Sequence, residues 1–324
     1  MPPEKLAHAD DLFFKESLDR KIIALGLMRQ FLPEMIRPEL LYSSLKIIKN
    51  DGVDTELFAH FADILYEVSL PQKETPLFVL FEHKSYPDRM VHFQNLRYIV
   101  KIWEEYRGQN EGSDIKFPVV VPLVIYHGRR RWKGGNSMSL LCEIFKGTRD
   151  FIPDYNDIVV NLGEIGDEQI SGDIQTRAFL LALKYSKTGG ILQKLALIID
   201  LFKNADEVQL EYLSVVLLYL GHVIGKAKRK EFLEAVRAHA PEGEVYMKTI
   251  ADALSEQAWK KGLKEGKKIE MEEGMEKGMQ AGQEKGMEKV ALNLISMGMD
   301  NETVNQATGL SISNVEQLRR SLEK

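Results

Sequence analysis

From residue 10 to residue 31 apolar side chains recur at helical spacing, at Leu12, Phe13, Leu18, Ile22, Ile23, Leu25, Leu27 and Met28, with Asp10 or Asp11 placed to cap and Pro33 to stop. The pattern predicts one long amphipathic first helix. Three strand-like runs follow at residues 45–49, 60–70 and 77–84, separated by Asn50-Asp51-Gly52 and by the polar stretch 71–76. They predict a meander of three strands. A second helical pattern runs over 88–106, and the continuous apolar run 117–126, rich in β-branched valine and ending in His127-Gly128, predicts a buried strand. Residues 157–162 supply a fifth, shorter strand.

From residue 175 to residue 238 the pattern is helical throughout, with Gly189-Gly190, 203–206 and 225–230 as connections. Gly262, Gly266, Gly274, Gly278, Gly282 and Gly286 then fall at multiples of four among Lys, Glu, Met and Gln. Each glycine costs a helix about 0.5–1 kcal/mol relative to alanine, so this stretch is a marginal helix by itself. A solvated spacer and a self-association seam both fit it. Residues 290–324 read as three short helices: Asp300 can cap the second, Gly309 supplies a sharp turn, and Ser311 or Ser313 can cap the third. That is helix-turn-helix punctuation, and the third helix would present Asn314, Gln317, Arg319 and Arg320 outward as groove-facing types. A small helical packing or oligomerisation module fits the same pattern.

Composition narrows the class. A chain of 324 residues with 44% hydrophobic and 28% charged residues can bury a sizeable core, which excludes wholesale disorder, a collagen-like repeat and a disulfide-stapled module; Cys142 stands alone. The net charge of −5 offers no global attraction to nucleic acid, so any DNA contact must come from local basic patches or through a metal ion. No apolar run follows basic residues at the N-terminus, and the most apolar later stretch, 210–224, is interrupted by Glu211 and His222. The expectation is a cytoplasmic protein without a membrane span.

The chemistry concentrates in the second and third strands. Alternation places Ala62, Ile64, Tyr66, Val68 and Leu70 on one face and Phe61, Asp63, Leu65 and Glu67 on the other, so Asp63 interrupts a strongly apolar strand. The next strand is apolar on both faces through Phe81, as a central strand would be, yet ends in Glu82-His83-Lys84. Glu82 and Lys84 share a face, about 7 Å apart along the strand. If the two strands pair, Asp63 and Glu82 converge at one edge with Lys84 beside them. Two carboxylates and a backbone carbonyl make a hard, all-oxygen, open site for Mg²⁺ or Mn²⁺, and a neighbouring lysine can orient or deprotonate an attacking water. This is phosphodiester hydrolysis chemistry. Spacing alone is weak, because an acid two residues before a lysine also occurs at Asp19-Lys21, Asp114-Lys116 and Glu265-Lys267. A strand-end salt bridge between Glu82 and Lys84 remains the structural alternative.

Asp11-Leu12-Phe13-Phe14-Lys15, Phe31-Leu32-Pro33, Asp63-Ile64-Leu65-Tyr66, Phe81-Glu82-His83-Lys84-Ser85, Leu96-Arg97-Tyr98 and the run Val121 to Gly128 occur in this order. This succession resembles the Rpn recombination-promoting nucleases, also called YhgA-like transposases, a branch of the PD-(D/E)XK superfamily. The resemblance covers about the first half of the chain. It implies an α/β fold with a restriction-endonuclease-like core, a central mixed sheet flanked by helices, followed by an all-helical C-terminal region. It also implies metal-dependent DNA cleavage linked to recombination or mobile elements, with Asp63 and Glu82 as metal ligands and Lys84 as the catalytic lysine. Many members carry glutamine where Lys84 stands. The expected organisation is a nuclease core over 1–170, a helical region over 171–258, the glycine-rich spacer over 259–289 and the tail over 290–324.

Secondary candidates are open to two readings each. Gln94 and Tyr98 resemble the Gln-x-x-x-Tyr helix motif of RecB-like relatives, though core packing also explains Tyr98. Asp11 and Lys15, one turn apart, can approach the metal or form a surface ion pair. Arg129, Arg130, Arg131 and Lys133 with Trp132 can grip phosphates and stack on a base, or form a solvated loop. His127 is a site-edge residue or a buried hydrogen-bonded one. There is no Gly-x-Ser-x-Gly, Cys-x-x-Cys, His-x-x-x-His or phosphate-binding glycine loop, and seven scattered histidines argue against zinc. The expected partner is DNA, with a second copy of the chain as a further partner through the C-terminal region. The rival reading is a non-catalytic DNA-binding or scaffold protein acting through its tail.

Overall fold

The computed structural model describes residues 3–48, 64–110, 114–133, 135–240, 246, 252 and 290–322. The chain forms two compact units, Met1–Leu254 and Ser255–Lys324. The first holds a mixed five-stranded sheet in the order β1-β2-β3-β4-β5, with β1 Leu41–Ile48, β2 Ile64–Ser69, β3 Leu77–Lys84, β4 Val119–Tyr126 and β5 Ile158–Asn161. The first three strands form the antiparallel meander, and β4 and β5 run parallel to β3. Each expected strand run overlaps one of these strands; residue 49 of the first run and residues 60–63 of the second lie outside the described residues. β1 starts earlier than the apolar run 45–49 because an irregularity between Leu41 and Lys46 hides its alternation.

Between the N-terminus and β1 the structure departs from expectation. The single long helix is two, α1 (Pro3–Leu18) and α2 (Lys21–Phe31), because Arg20 is extended at φ −88° and ψ 108°. The Tyr66 hydroxyl, from β2, donates to the buried carbonyl of Leu18 at 2.6 Å. The break lets Phe14 and Leu18 on one side of it, and Ile23 and Leu27 on the other, all be fully buried. Asp10, expected as a cap, lies inside α1 and is buried.

β3 is buried on both faces, and alternation divides its residues between two cores. Leu77, Val79 and Phe81 join Ile64, Tyr66 and Val68 in the larger core with α1, α2 and the later helices. Phe78 and Leu80, with Leu65, meet Tyr98 and Ile102 of α3 (Val91–Gln109), the crossover from β3 to β4. The helices α4 (Ile174–Ser186), α5 (Ile191–Asp200), α6 (Glu207–Val223) and α7 (Arg229–His239) share the larger core with the sheet, through Phe179, Leu195, Leu217 and Phe232. One sheet face needs this cover, at about 1.5–3 kcal/mol for each large side chain removed from water. Asp173 caps α4, its Oδ1 accepting from the Gln175 amide at 2.8 Å, and a Cβ on Gly26 of α2 would collide with Thr176.

The spacer expected at 259–289 lies outside the described residues. In the second unit, residues 290–296 are helical and are followed by α8 (Asn301–Thr308) and α9 (Ile312–Leu322). Ala291, Ile295, Val304 and Val315 form its core. Its punctuation is as expected: Asp300 accepts from the Thr303 amide at 2.9 Å, Gly309 turns at φ +74°, and Ser311 accepts from the Asn314 amide at 3.2 Å. No single helix among the described residues is long and apolar enough to cross a membrane.

Candidate functional site

The end of β3 delivers polar side chains to both faces of the sheet. Glu82 and Lys84 point toward α3 and are almost fully buried, at 3% and 9% exposure. The Lys84 ammonium lies 2.9 Å from Glu82 Oε1, 3.4 Å from Asp88 Oδ2 and 3.0 Å from Gln94 Oε1. Gln94 donates to Glu82 Oε1 at 3.1 Å and to the Tyr98 hydroxyl at 2.6 Å, so one turn of α3 fixes the ion pair from above. Gln94 and Tyr98 are thus brought to Glu82 and Lys84. The strand-end salt bridge exists as well.

Glu82 Oε2 is buried with no hydrogen-bond partner among the described residues. An orphaned carboxylate oxygen typically costs at least 1–3 kcal/mol, and a bound cation would remove that penalty. Burial raises the Glu82 pKa more than the adjacent Lys84 charge lowers it. Burial pulls Lys84 down, but the Glu82 charge prevails and its pKa is raised. Asp11 and Lys15 form a half-buried ion pair at 3.5 Å, and the Asp11 charge also opposes ionisation of Glu82. Asp63 lies outside the described residues; it immediately precedes Ile64, which pairs with Phe81.

His83 faces the other way. Its Nε2 lies 2.8 Å from Nε2 of His127, which continues β4 with its amide donating to the Lys84 carbonyl at 3.1 Å. His127 Nδ1 is 3.2 Å from the Leu183 carbonyl, an acceptor only, so Nδ1 carries the hydrogen and Nε2 accepts from His83. Burial pushes the His83 pKa down to about 3 and that of His127 well below its ordinary value. Asp10, held at 2.5 Å by Lys187 and at 2.8 Å by the Tyr219 hydroxyl, completes the group. Asp10, His83 and His127 present ligand atoms within 4.8 Å of one another and can hold a divalent ion. Three elements distant in sequence bring these candidate ligands together, so no spacing motif announces them.

Residues 8–212 match the family described as "Putative transposase, YhgA-like". The chain belongs to this family. It is 23% identical over 309 residues to the "Inactive recombination-promoting nuclease-like protein RpnE" of Escherichia coli K12, covering 94% of this chain and 95% of that one. It is 29% identical over 120 residues to the "Recombination-promoting nuclease RpnD" of Escherichia coli O157:H7, covering 37% and 45%. With the "Recombination-promoting nuclease RpnC" of strain K12 it shares 28% identity over 118 residues, covering 36% and 38%. The chain thus spans less than half the length of these last two relatives. No solved structure matches.

The remaining candidates in this YhgA-like chain fall into different settings. Arg129 spends its Nε on the Lys187 carbonyl, Trp132 donates to the Gly135 carbonyl at 2.9 Å and tilts against Tyr126, and Arg131 lies 3.8 Å from Glu164. Arg130 and Arg131 are exposed. In the second unit Asn314 and Gln317 are exposed, whereas Arg319 turns inward, donating to Asn301 at 2.9 Å and to the Met299 carbonyl at 2.5 Å. A further cluster went unread in the sequence: His92 of α3 bonds Asp157 in full burial, Asn95 donates to the same carboxylate at 3.1 Å, and the Tyr155 hydroxyl bonds the His92 carbonyl. It pins α3, and with it Gln94, to the start of β5. Only the i, i+3 spacing of His92 and Asn95 could have hinted at it.

Proposed function

We propose that this chain is a divalent-metal-dependent DNA endonuclease, working in the cytoplasm on phosphodiester bonds in recombination or mobile-element activity. The observation that carries the reading is Glu82: a buried carboxylate with one oxygen unpartnered and the other locked to Lys84 and Gln94. Glu82 would hold Mg²⁺ or Mn²⁺ together with Asp63. Supporting that pairing, Ile64, which follows Asp63 in the sequence, pairs with Phe81, which precedes Glu82. When bound, such an ion would lower the pKa of a water and offset phosphate charge.

The remaining roles belong to the chain's own groups. Lys84, aimed by Gln94 and Asp88, places an ammonium where negative charge develops on the phosphate or where a water must be oriented. Tyr98 fixes Gln94. Arg130, Arg131, Asn314 and Gln317 would contact DNA. The second reading, a non-catalytic DNA-binding or scaffold protein acting through 290–324, draws on the printed name of RpnE, which calls that near-full-length relative inactive.

A plasmid-nicking assay in Mg²⁺ separates the two. Cleavage by the unaltered chain, lost on Glu82→Gln and on Asp63→Asn, supports the nuclease. Undiminished cutting by either variant overturns the assignment. DNA affinity that vanishes on deleting 290–324, with no metal-dependent cutting at any stage, establishes the binding protein instead.

A further inference from the structure

The group on the opposite face of β3 is built from three elements: Asp10 from α1, His83 from the end of β3 and His127 from the residue after β4. The imidazoles already meet Nε2 to Nε2 at 2.8 Å, one shared proton standing between two lone pairs. The surroundings are those of an oriented ligand set. The Leu183 carbonyl holds the Nδ1 hydrogen of His127 at 3.2 Å, leaving Nε2 as its donor atom, and the Tyr219 hydroxyl holds Asp10 Oδ1 at 2.8 Å. Asp10 is fully buried, and the charge opposite its Oδ2 is the Lys187 ammonium at 2.5 Å. Lys187 sits just past the last turn of α4, two residues before Gly189 at φ +77°, with its side chain 15% exposed. Its side chain thus has a way out to solvent.

We propose that Asp10, His83 and His127 form a second divalent-cation site, selective for a borderline transition ion such as Zn²⁺, and that Lys187 is the exchangeable cation that occupies Asp10 until the ion arrives. Two imidazole nitrogens and one carboxylate suit such ions and not Mg²⁺, which demands oxygen ligands. Ligand atoms within 4.8 Å need only small side-chain rotations to reach zinc bond lengths of about 2.0–2.2 Å. Three protein ligands leave a four-coordinate ion one exchangeable position. The site stands independently of the nuclease reading, since Glu82 and Lys84 face away from it.

Co²⁺ serves as the spectroscopic probe for Zn²⁺ on the chelator-stripped full chain. One equivalent should give visible absorption bands that Zn²⁺ abolishes and millimolar Mg²⁺ leaves in place. His83→Gln and His127→Gln should each weaken binding at least about a hundredfold, while Glu82→Gln should keep the bands. Lys187→Gln should tighten Co²⁺ binding about tenfold or more, the competing cation being gone. In the unaltered chain, Zn²⁺ should increase amine labelling of Lys187 as read by mass spectrometry. Should the histidine variants fail to fold, the last two measurements still decide. Bands absent from both the unaltered chain and Lys187→Gln, bands indifferent to either histidine, or Lys187 labelling unmoved by Zn²⁺ would each overturn the site.

Discussion

Residues 82, 83 and 84 send two polar clusters to opposite faces of one strand, and the clusters solve burial in different ways. On the α3 face, a carboxylate and an ammonium are buried as a pair, held by Gln94, with one carboxylate oxygen left over. On the other face, burial depresses both histidines, so the imidazoles share a hydrogen bond as neutral groups beside the buried pair of Asp10 and Lys187. Each face buries a carboxylate with an ammonium against it, because a lone buried charge costs far more than a paired one. Each face holds a buried carboxylate oxygen without a hydrogen bond among the described residues, but Asp10 Oδ2 lies against the Lys187 ammonium, whereas Lys84 sits on Glu82 Oε1 and leaves Oε2 over, so the demand for a further cation is greatest on the α3 face.

The largest expected effect lies there. Lys84→Ala should slow plasmid nicking by at least about a hundredfold, while the Mg²⁺ concentration giving half-maximal residual cutting shifts much less. Equal damage to rate and metal dependence would mean that the lysine merely props up Glu82. Next in size is the scaffold under the same face. Asp157→Ala removes the partner of both His92 and Asn95 at full burial and should cost about 3–5 kcal/mol in urea unfolding, with an unchanged denaturant slope. A cost below 1 kcal/mol would show that α3 holds its place without that cluster.

Much of this face was legible in the sequence. Glu82 and Lys84 close a strand apolar on both sides, and that conjunction marks a central strand carrying charge at its end. Gln94 and Tyr98 could be placed on one helix face from spacing alone. The helical break at Arg20 could not, because the Leu18 carbonyl beside it is met by a hydroxyl from β2, 48 residues away. Nor could the meeting of Asp10 with His83 and His127, which depends on how α1 and α6 cover the sheet; Tyr219 of α6 bonds Asp10 across 209 residues. Arg319 was misread as outward-facing for the same reason: its partner Asn301 belongs to the preceding helix. Local alternation specifies faces, and only tertiary packing specifies what each face meets.

Tyr219→Phe sharpens the contrast from the histidine side. It deletes the donor to Asp10 Oδ1 and leaves the ring that stacks on Phe13 at 4.0 Å. The expected cost is about 1–2 kcal/mol in urea unfolding, since Asp10 keeps Lys187 but loses a buried hydrogen bond. No loss at all would mean that Lys187 alone satisfies the carboxylate.

The smallest effect isolates burial from partner chemistry, because the chain repeats the Asp10 arrangement near its surface. Asp167 accepts from Lys184 at 2.7 Å, from Lys194 at 2.9 Å and from the Tyr185 hydroxyl at 2.6 Å, lysine and tyrosine partners like those of Asp10. Burial raises Asp10 against the pull of its lysine. At Asp167 burial pushes the same way, but the three donors outweigh it and hold the pKa at about 2 against an ordinary 3.8. A carboxyl with a depressed folded-state pKa contributes stability that is complete above the unfolded value and disappears as the pH falls through the folded one. Asp167→Asn should therefore lower stability at neutral pH by about 1 kcal/mol, solvent screening having reduced the ion pairs' worth. That gap should begin to close as the pH drops below 3.8 and vanish near 2. Urea midpoints of the two proteins across this range measure it, and a gap constant with pH would show that the loss is packing, not charge.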